Sequence, residues 1–379
     1  MTTYDLKKYM QDLEYLVNID CMASNYAGID KVADFFEKEL NGPMWHAKRI
    51  DCGPNAAKPL QIANTTGDDY DVILCCHMDT VFPDGTVAKR PFSVKGDRAY
   101  GPGVSDMKCG CLQGLHVLKA MEKNGSLKDL KVCLAFNSEE ERGSNFTKPW
   151  LEQIGSHSKY SLVLEAARAN GARVLERKGV LRYTVNFTGK AAHAGNNHAD
   201  GRNAINEMAY WTLQLAALTD YETGLTVNVG VVKGGAGYNT VAPDAFMDID
   251  VRVTAKEQKQ IIDDAMAKLA EHAKAAEIGV EYKNLVCQSP MATTPETADL
   301  VAIIDEASKA YGASTEWIKA GGGSDGNYTS GAGACTVDGI GPVGAGGHSE
   351  AEYLDIPSVE PSLHILEKVL LDLQAKLYK

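Results

Sequence analysis

Several side chains in this sequence are of the kinds that hold metals or move protons, and they sit just past apolar runs. "CHMDTVFPDG" carries His77 and Asp79, two positions apart after the run "YDVILCC". Residues i and i+2 of an extended chain point to one side, and a histidine beside a carboxylate is either an oriented base or an oriented metal ligand. "YGPGVSDMKCG" puts Asp106 in a glycine-rich turn before a helical stretch. "LAFNSEEERGS" delivers Glu139, Glu140 and Glu141 together, Glu165 ends "YSLVLE", and His348 lies in "GAGGHSEAEY". Acids drawn onto one edge repel unless a cation joins them, and a pair of divalent metals meets that need.

Each feature also has a plain structural reading. His77 alone could be a hydrogen-bonded core histidine. Asp106 could be an N-cap, and the glutamates could favour a helix N-terminus. The cysteines offer a rival site in Cys75, Cys76, Cys109 and Cys111. Neighbours on a strand point oppositely, however, so Cys75, Cys76 and His77 chelate poorly and the thiols read as core. The glycine-rich stretches at 321–326 ("GGGSDG") and 341–347 ("GPVGAGG") lack the GxxxxGK[ST] pattern of a phosphate loop. A nucleotide-dependent oxidoreductase predicts G-x-G-x-x-G after the first strand, and no such turn opens the chain.

The elements that position these residues follow from periodicity. Leu6, Met10, Leu13 and Val17 recur at helical spacing and predict a helix over 5–20. The runs at 70–76, 131–136 and 160–165 are apolar throughout, and helical stretches such as 109–123 lie between them. That alternation predicts an α/β domain with a parallel or mixed sheet covered on both faces. From about residue 180 the texture changes. "LRYTVNF" alternates strictly, a helix follows at 202–218, and alternating strands come at 225–233 and 245–253. Ile261, Ile262, Met266 and Leu269 mark another helix, and 279–284 closes the set. The order β-α-β-β-α-β is ferredoxin-like. The chain therefore divides as 1–179, an inserted domain at 180–287, and 288–379, with helices at 297–312 and 360–378 returning to the first domain.

The 379 residues suffice for such cores, and 44% hydrophobic with 23% charged residues is ordinary for a soluble globular protein. A net charge of −12 argues against a nucleic-acid partner. There is no apolar run of membrane-spanning length and no secretory signal, so a cytoplasmic protein with no membrane partner is expected. Nine cysteines, an odd number, fit reduced thiols.

Taken in order, His-x-Asp, Asp, Glu-Glu, Glu and His resemble the dinuclear zinc carboxypeptidase and aminoacylase family. That family includes glutamate carboxypeptidase, acetylornithine deacetylase, succinyl-diaminopimelate desuccinylase and the cytosolic di- and tripeptidases. The resemblance spans nearly the whole chain and is closest in style to glutamate carboxypeptidase. It implies two Zn2+ per subunit, with Co2+ or Mn2+ as substitutes. It implies His77, Asp106, Glu140, Glu165 and His348 as metal ligands, Asp106 bridging. Asp79 is implied to orient His77, and Glu139 to act as general base. Glu141 is left as a bystander. His193, Asn239, Arg252 and the loop residues Gly322, Gly323 and Ser324 are implied to bind substrate, with a salt bridge to Asp248 or Asp250 as the alternative for Arg252. His116, His157, His198 and His272 match nothing in the pattern. The implied substrate is a small peptide or N-acyl amino acid with a free carboxylate. The inserted domain is implied to act as a lid and to form a homodimer. A dipeptidase or tripeptidase, or a non-catalytic metal- and amino-acid-binding protein, is the alternative.

Overall fold

The structure, a computed structural model, describes residues 2–378. The chain forms two compact units. One comprises the residues up to Glu176, Met291–Ala320 and those from Ser324 onward; the other comprises Arg177–Pro290 with Gly321–Gly323.

The first unit is built on a six-stranded mixed sheet. Its order is His46–Arg49, Leu60–Ala63, Val132–Asn137, Tyr70–His77, Ser158–Val163, Cys335–Val337. The last four strands run parallel to one another, and Leu60–Ala63 joins them antiparallel. Every residue of Tyr70–His77 is buried, because both sheet faces are covered. Val72, Leu74 and Cys76 face a core shared with the helices Leu6–Val17, Cys109–Lys123, Thr297–Ala310 and Val359–Leu377. Ile73 and Cys75 face the opposite core, where Trp150, Leu151 and Ile154 of Lys148–Ser156 pack with Tyr328. The cysteine pair is thus split between two cores. All nine cysteines are free thiols.

Gly110 decides one close approach. A Cβ there would lie 1.8 Å from the Leu164 carbonyl oxygen. Without it, the Cys109–Lys123 helix seats directly on the chain entering Glu165.

The second unit is a four-stranded antiparallel sheet, ordered Thr226–Gly234, Asp244–Val253, Gly179–Thr188, Gly279–Gln288. Helices Ala204–Ala216 and Gln258–Ala275 complete the order β-α-β-β-α-β. Leu181, Tyr183, Val185 and Phe187 are buried while Arg182, Asn186 and Thr188 are exposed, the alternation of a sheet covered on one face. Asn203 caps the first helix by accepting the N–H groups of Ile205 and Asn206.

Local assignments differ in places. Ile261 is 48% exposed; the buried stripe of its helix is Ile262, Met266, Leu269 and Ala273. In the first helix Tyr9 and Leu16 are fully buried, while Leu6 and Met10 only pack against the core edge. The helix Tyr26–Glu39 and the strands His46–Arg49 and Leu60–Ala63 were not read from the sequence. They are an amphipathic helix and two four-residue strands, too short to show a period of two.

Trp211 is the largest fully buried side chain and meets Phe187 edge-on at 5.3 Å. Trp211→Ala is expected to cost about 3–5 kcal/mol. Chemical denaturation should show that loss in the transition of the second unit.

Candidate metal centre

Parallel register brings the ends of three neighbouring strands level. His77 pairs with Asn137, and Cys75 pairs with Val163. His77, the chain following Asn137, and Glu165 therefore emerge at one edge, the carboxyl end where open α/β sheets carry ligand sites. The turn holding Asp106, between Gly103 and the Cys109–Lys123 helix, reaches the same place. His77 Nε2 lies 3.1 Å from Asp106 Oδ1 and 3.3 Å from Glu165 Oε1. His348 Nε2 lies 3.2 Å from the other Asp106 oxygen, Oδ2, and 3.0 Å from Glu141 Oε2. Asp106 thus stands between the two imidazoles, each facing its own carboxylate oxygen. His348 is held at φ 64, a left-handed backbone rarely adopted by a non-glycine residue.

His77, Asp106 and Glu141 bring donor atoms close enough together to share a metal ion. His77, Asp106, Glu165 and His348 are brought together at this edge. The acidic triplet is placed differently from the expectation. Glu139 is turned away: its Oε1 accepts the N–H groups of Phe146 and Thr147, the latter at 2.8 Å, at the start of the Lys148–Ser156 helix. Its backbone explains the turn. Asn137 Oδ1 accepts the N–H groups of Ser138 and Glu139, bending the chain as it leaves the strand. A 3-10 turn at Glu140–Arg142 then carries the next two acids toward the histidines. Glu141, expected to be a bystander, faces His348. Glu140, expected to be a ligand, makes no side-chain hydrogen bond or ion pair with any described residue.

Asp79 also differs in detail. His77 Nδ1 is 3.0 Å from the Asp79 backbone carbonyl oxygen and 3.4 Å from its carboxylate. That buried carboxylate accepts the backbone N–H groups of Glu140 and Glu141, each at 3.0 Å. It therefore fixes the acidic turn as well as bordering the histidine. Glu352 does the same for the other turn and was missed in the sequence. Fully buried, it accepts the N–H groups of Gly103, Ser105 and Asp106 at 2.9–3.0 Å. The only signal for it was a second acid in "HSEAEY" four residues after His348.

The donors fit a divalent metal by their chemistry. Burial, reinforced by the neighbouring Asp106 charge, pushes Glu141 up to about 8. Burial also pushes Glu140 well above the carboxylate range, with Asp325, Glu165 and Glu141 adding to the rise. Its hydrogen bond to Asp106 raises His348 to about 9. Burial opposes ionisation of Asp106, yet hydrogen bonds from His348 and His77 hold it below the usual range. Crowded acids thus retain protons that a dication would displace. Imidazole nitrogen and carboxylate oxygen are zinc-type donors, with no thiolate among them.

Among the substrate-binding expectations, His193, Asn239 and Arg252 lie in the second unit, as do Gly322 and Gly323; Ser324 lies in the first. Ala194 N–H bonds to the Asn239 carbonyl at 3.0 Å, holding the His193 and Asn239 loops together. Arg252 Nε donates to Asp250 Oδ1 at 2.7 Å, the salt bridge considered as its alternative. Ser324 is buried and donates to Asp338 at 2.6 Å.

Comparison with known proteins gives the chain's family. The model of peptidase family M20/M25/M40 matches residues 73–372, and the chain belongs to that family. It is a metal-dependent hydrolase of the peptidase class. Carboxypeptidase G2 of Pseudomonas sp. (strain RS-16) is 30% identical over 376 residues, 97% of this chain and 89% of that protein. An aminopeptidase from Bacillus cereus shares the fold with a TM-score of 0.81 at 20% identity, over 98% of this chain and 99% of that one. An M20 family metallo-carboxypeptidase from Sulfolobus solfataricus does so at 0.73 and 18%, over 96% and 98%.

Two measurements check the centre. Glu352→Gln replaces one accepting oxygen with a donor facing backbone N–H groups, and should weaken metal affinity about 10–100-fold in a competition titration with a chromophoric chelator. Zinc uptake by metal-free protein near pH 7 should release roughly one proton or more. Calorimetry in two buffers of different ionisation enthalpy reads that number.

Proposed function

We propose that the chain is a two-zinc carboxypeptidase or deacylase. It would hydrolyse the amide of a small peptide or N-acyl amino acid and release an amino acid with a free carboxylate. The observation that carries this reading is Glu140: a carboxylate beside the His77, Asp106, Glu141, Glu165 and His348 cluster, yet without a partner of its own among the described residues. A general base must sit near the metals without being bound to them.

His77, Glu165 and Asp106 would hold one zinc, and Asp106, Glu141 and His348 the other. Bound zinc supplies Lewis acidity, polarising the scissile carbonyl and lowering the pKa of water. Glu140 would take a proton from the attacking water and return it to the leaving amine. Its buried, acid-crowded surroundings favour the proton-bearing form, which suits the second step. Asp79 and Glu352 would hold the two turns still through backbone N–H groups.

His193 and Asn239 are proposed as donors to the developing oxyanion. Arg252 and the loop of Gly322, Gly323 and Ser324 are proposed to receive the substrate carboxylate. A guanidinium fork suits that group; Arg252 would exchange Asp250 for it. The relative named carboxypeptidase G2 supports the carboxypeptidase direction.

A homodimer through the second unit is part of the proposal. Thr226–Gly234 is an edge strand, and the unit exposes Leu213 at 70% and Leu285 at 57%, with Val231 and Val232 also exposed; such features favour association. A cytoplasmic location is supported by the free thiols. Among the described residues no helix is long and apolar enough to cross a membrane.

The test is a pair of isosteric substitutions assayed on a panel of N-acyl amino acids and dipeptides. Glu140→Gln should retain metal and lose about 10²–10⁴-fold in kcat. Glu139→Gln keeps an oxygen for the Phe146 and Thr147 N–H groups and should retain most turnover. Removal of metal by a chelator should abolish hydrolysis, and zinc or cobalt should restore it. Turnover by Glu140→Gln close to the unsubstituted protein would dismiss Glu140 as the base.

A further inference from the structure

Asp325 is a buried carboxylate, 2% exposed, with no cation partner among the described residues. Burying such a charge costs stability unless it is well hydrogen-bonded. Its partners lie on the segment that carries the acidic triplet. Asn137 Nδ2 donates to both Asp325 oxygens at 2.9 Å, and Ser144 Oγ donates to Oδ1 at 2.7 Å. Asn137 Nδ2 also reaches Ser144 Oγ at 2.8 Å, closing a triangle.

The triangle fixes both ends of the acidic segment. Asn137 ends its strand and directs its own Oδ1 to the Ser138 and Glu139 N–H groups, so its amide cannot flip without losing them. Ser144 is held at φ 53, and its N–H bonds to the Glu139 carbonyl at 3.0 Å. These anchors flank Glu139 to Gly143, the stretch that Asp79 also holds through the Glu140 and Glu141 N–H groups. Asp325 in turn directly follows Ser324, whose own N–H and Oγ are tied to Asn327 and Asp338.

We propose that Asp325 is a positioning residue: it ties the acidic segment, with Glu140 and Glu141, to the segment beginning at Ser324, so that the base keeps a fixed place relative to that segment. The assignment rests on the functional reading above for what the two segments do. The anchoring itself does not depend on it. A neutral residue would be easier to bury, so the carboxylate is present for its accepting geometry: two acceptor oxygens facing three donor contacts.

The experiment uses Asp325→Asn and the double swap Asn137→Asp with Asp325→Asn in the full-length protein. The single substitution places an amide NH2 against the Asn137 NH2. The swap restores a donor–acceptor pair with reversed polarity, and the carboxylate introduced at position 137 still accepts the Ser138 and Glu139 N–H groups. Asp325→Asn should leave Tm unchanged or raised. It should speed amide hydrogen exchange at 138–147 about tenfold or more in the metal-free protein, and lower kcat about 10–100-fold at unchanged metal content. The swap should restore both readouts. Unchanged exchange in Asp325→Asn, unchanged kcat, or a swap that restores neither, would overturn the proposal. An active Glu140→Gln would instead remove the base assignment while leaving the exchange result standing, so the two failures are separable.

Discussion

The constraint on which this structure depends is the crowding of buried carboxylates at one sheet edge with few cations nearby. Asp79 and Glu352 are fully buried, and among the described residues no lysine or arginine neutralises either. Backbone N–H groups do that work: those of Glu140 and Glu141 for Asp79, and of Gly103, Ser105 and Asp106 for Glu352. Charge-assisted bonds of this kind are strong and directional. Each acid therefore freezes a turn whose side chains point at the cluster. The anions that hold the turns and the anions that face the histidines are different residues.

The sheet makes this arrangement possible. Helices cover both faces, so the strands are fully buried and their carboxyl ends are where polar chemistry can emerge. His77 and Asn137 are level by register, and Glu165 follows the neighbouring strand. The glycine at 110 lets a helix press against that strand's exit. Side chains far apart in sequence thus meet within hydrogen-bond distance because three short parallel strands share a register.

Much of this was legible in the residues themselves. His77, Asp106, Glu165 and His348 differ in type from the apolar or glycine-rich stretches around them, so each stood alone as a candidate. The second unit was legible because one-sided burial writes a period of two into its strands. The roles in the triplet Glu139–Glu141 were assigned by resemblance alone, because three identical residues carry no internal mark of which one turns inward. What decides the matter is the bend imposed by Asn137 and the start of the Lys148–Ser156 helix, whose N–H groups claim the first acid. Glu352 was invisible for a related reason: its role is set by backbone N–H groups of a turn some 250 positions away in sequence, and contacts to backbone leave no residue-type signature.

The three glutamates show how a chain can keep one carboxylate free among many. Glu139 faces a helix N-terminus, where its charge is favourable. Glu141 faces His348. Glu140, between them, is left unpaired among the described residues in a buried, anionic neighbourhood, an arrangement that would relax if the turn could rotate. It cannot rotate freely, because the backbone of that turn is bonded to Asp79 and its flanks to Asp325. The unfavourable placement of one side chain is offset by the favourable hydrogen bonding of others. A carboxylate left without a partner in this way keeps its place through the hydrogen bonds of its neighbours rather than through any of its own.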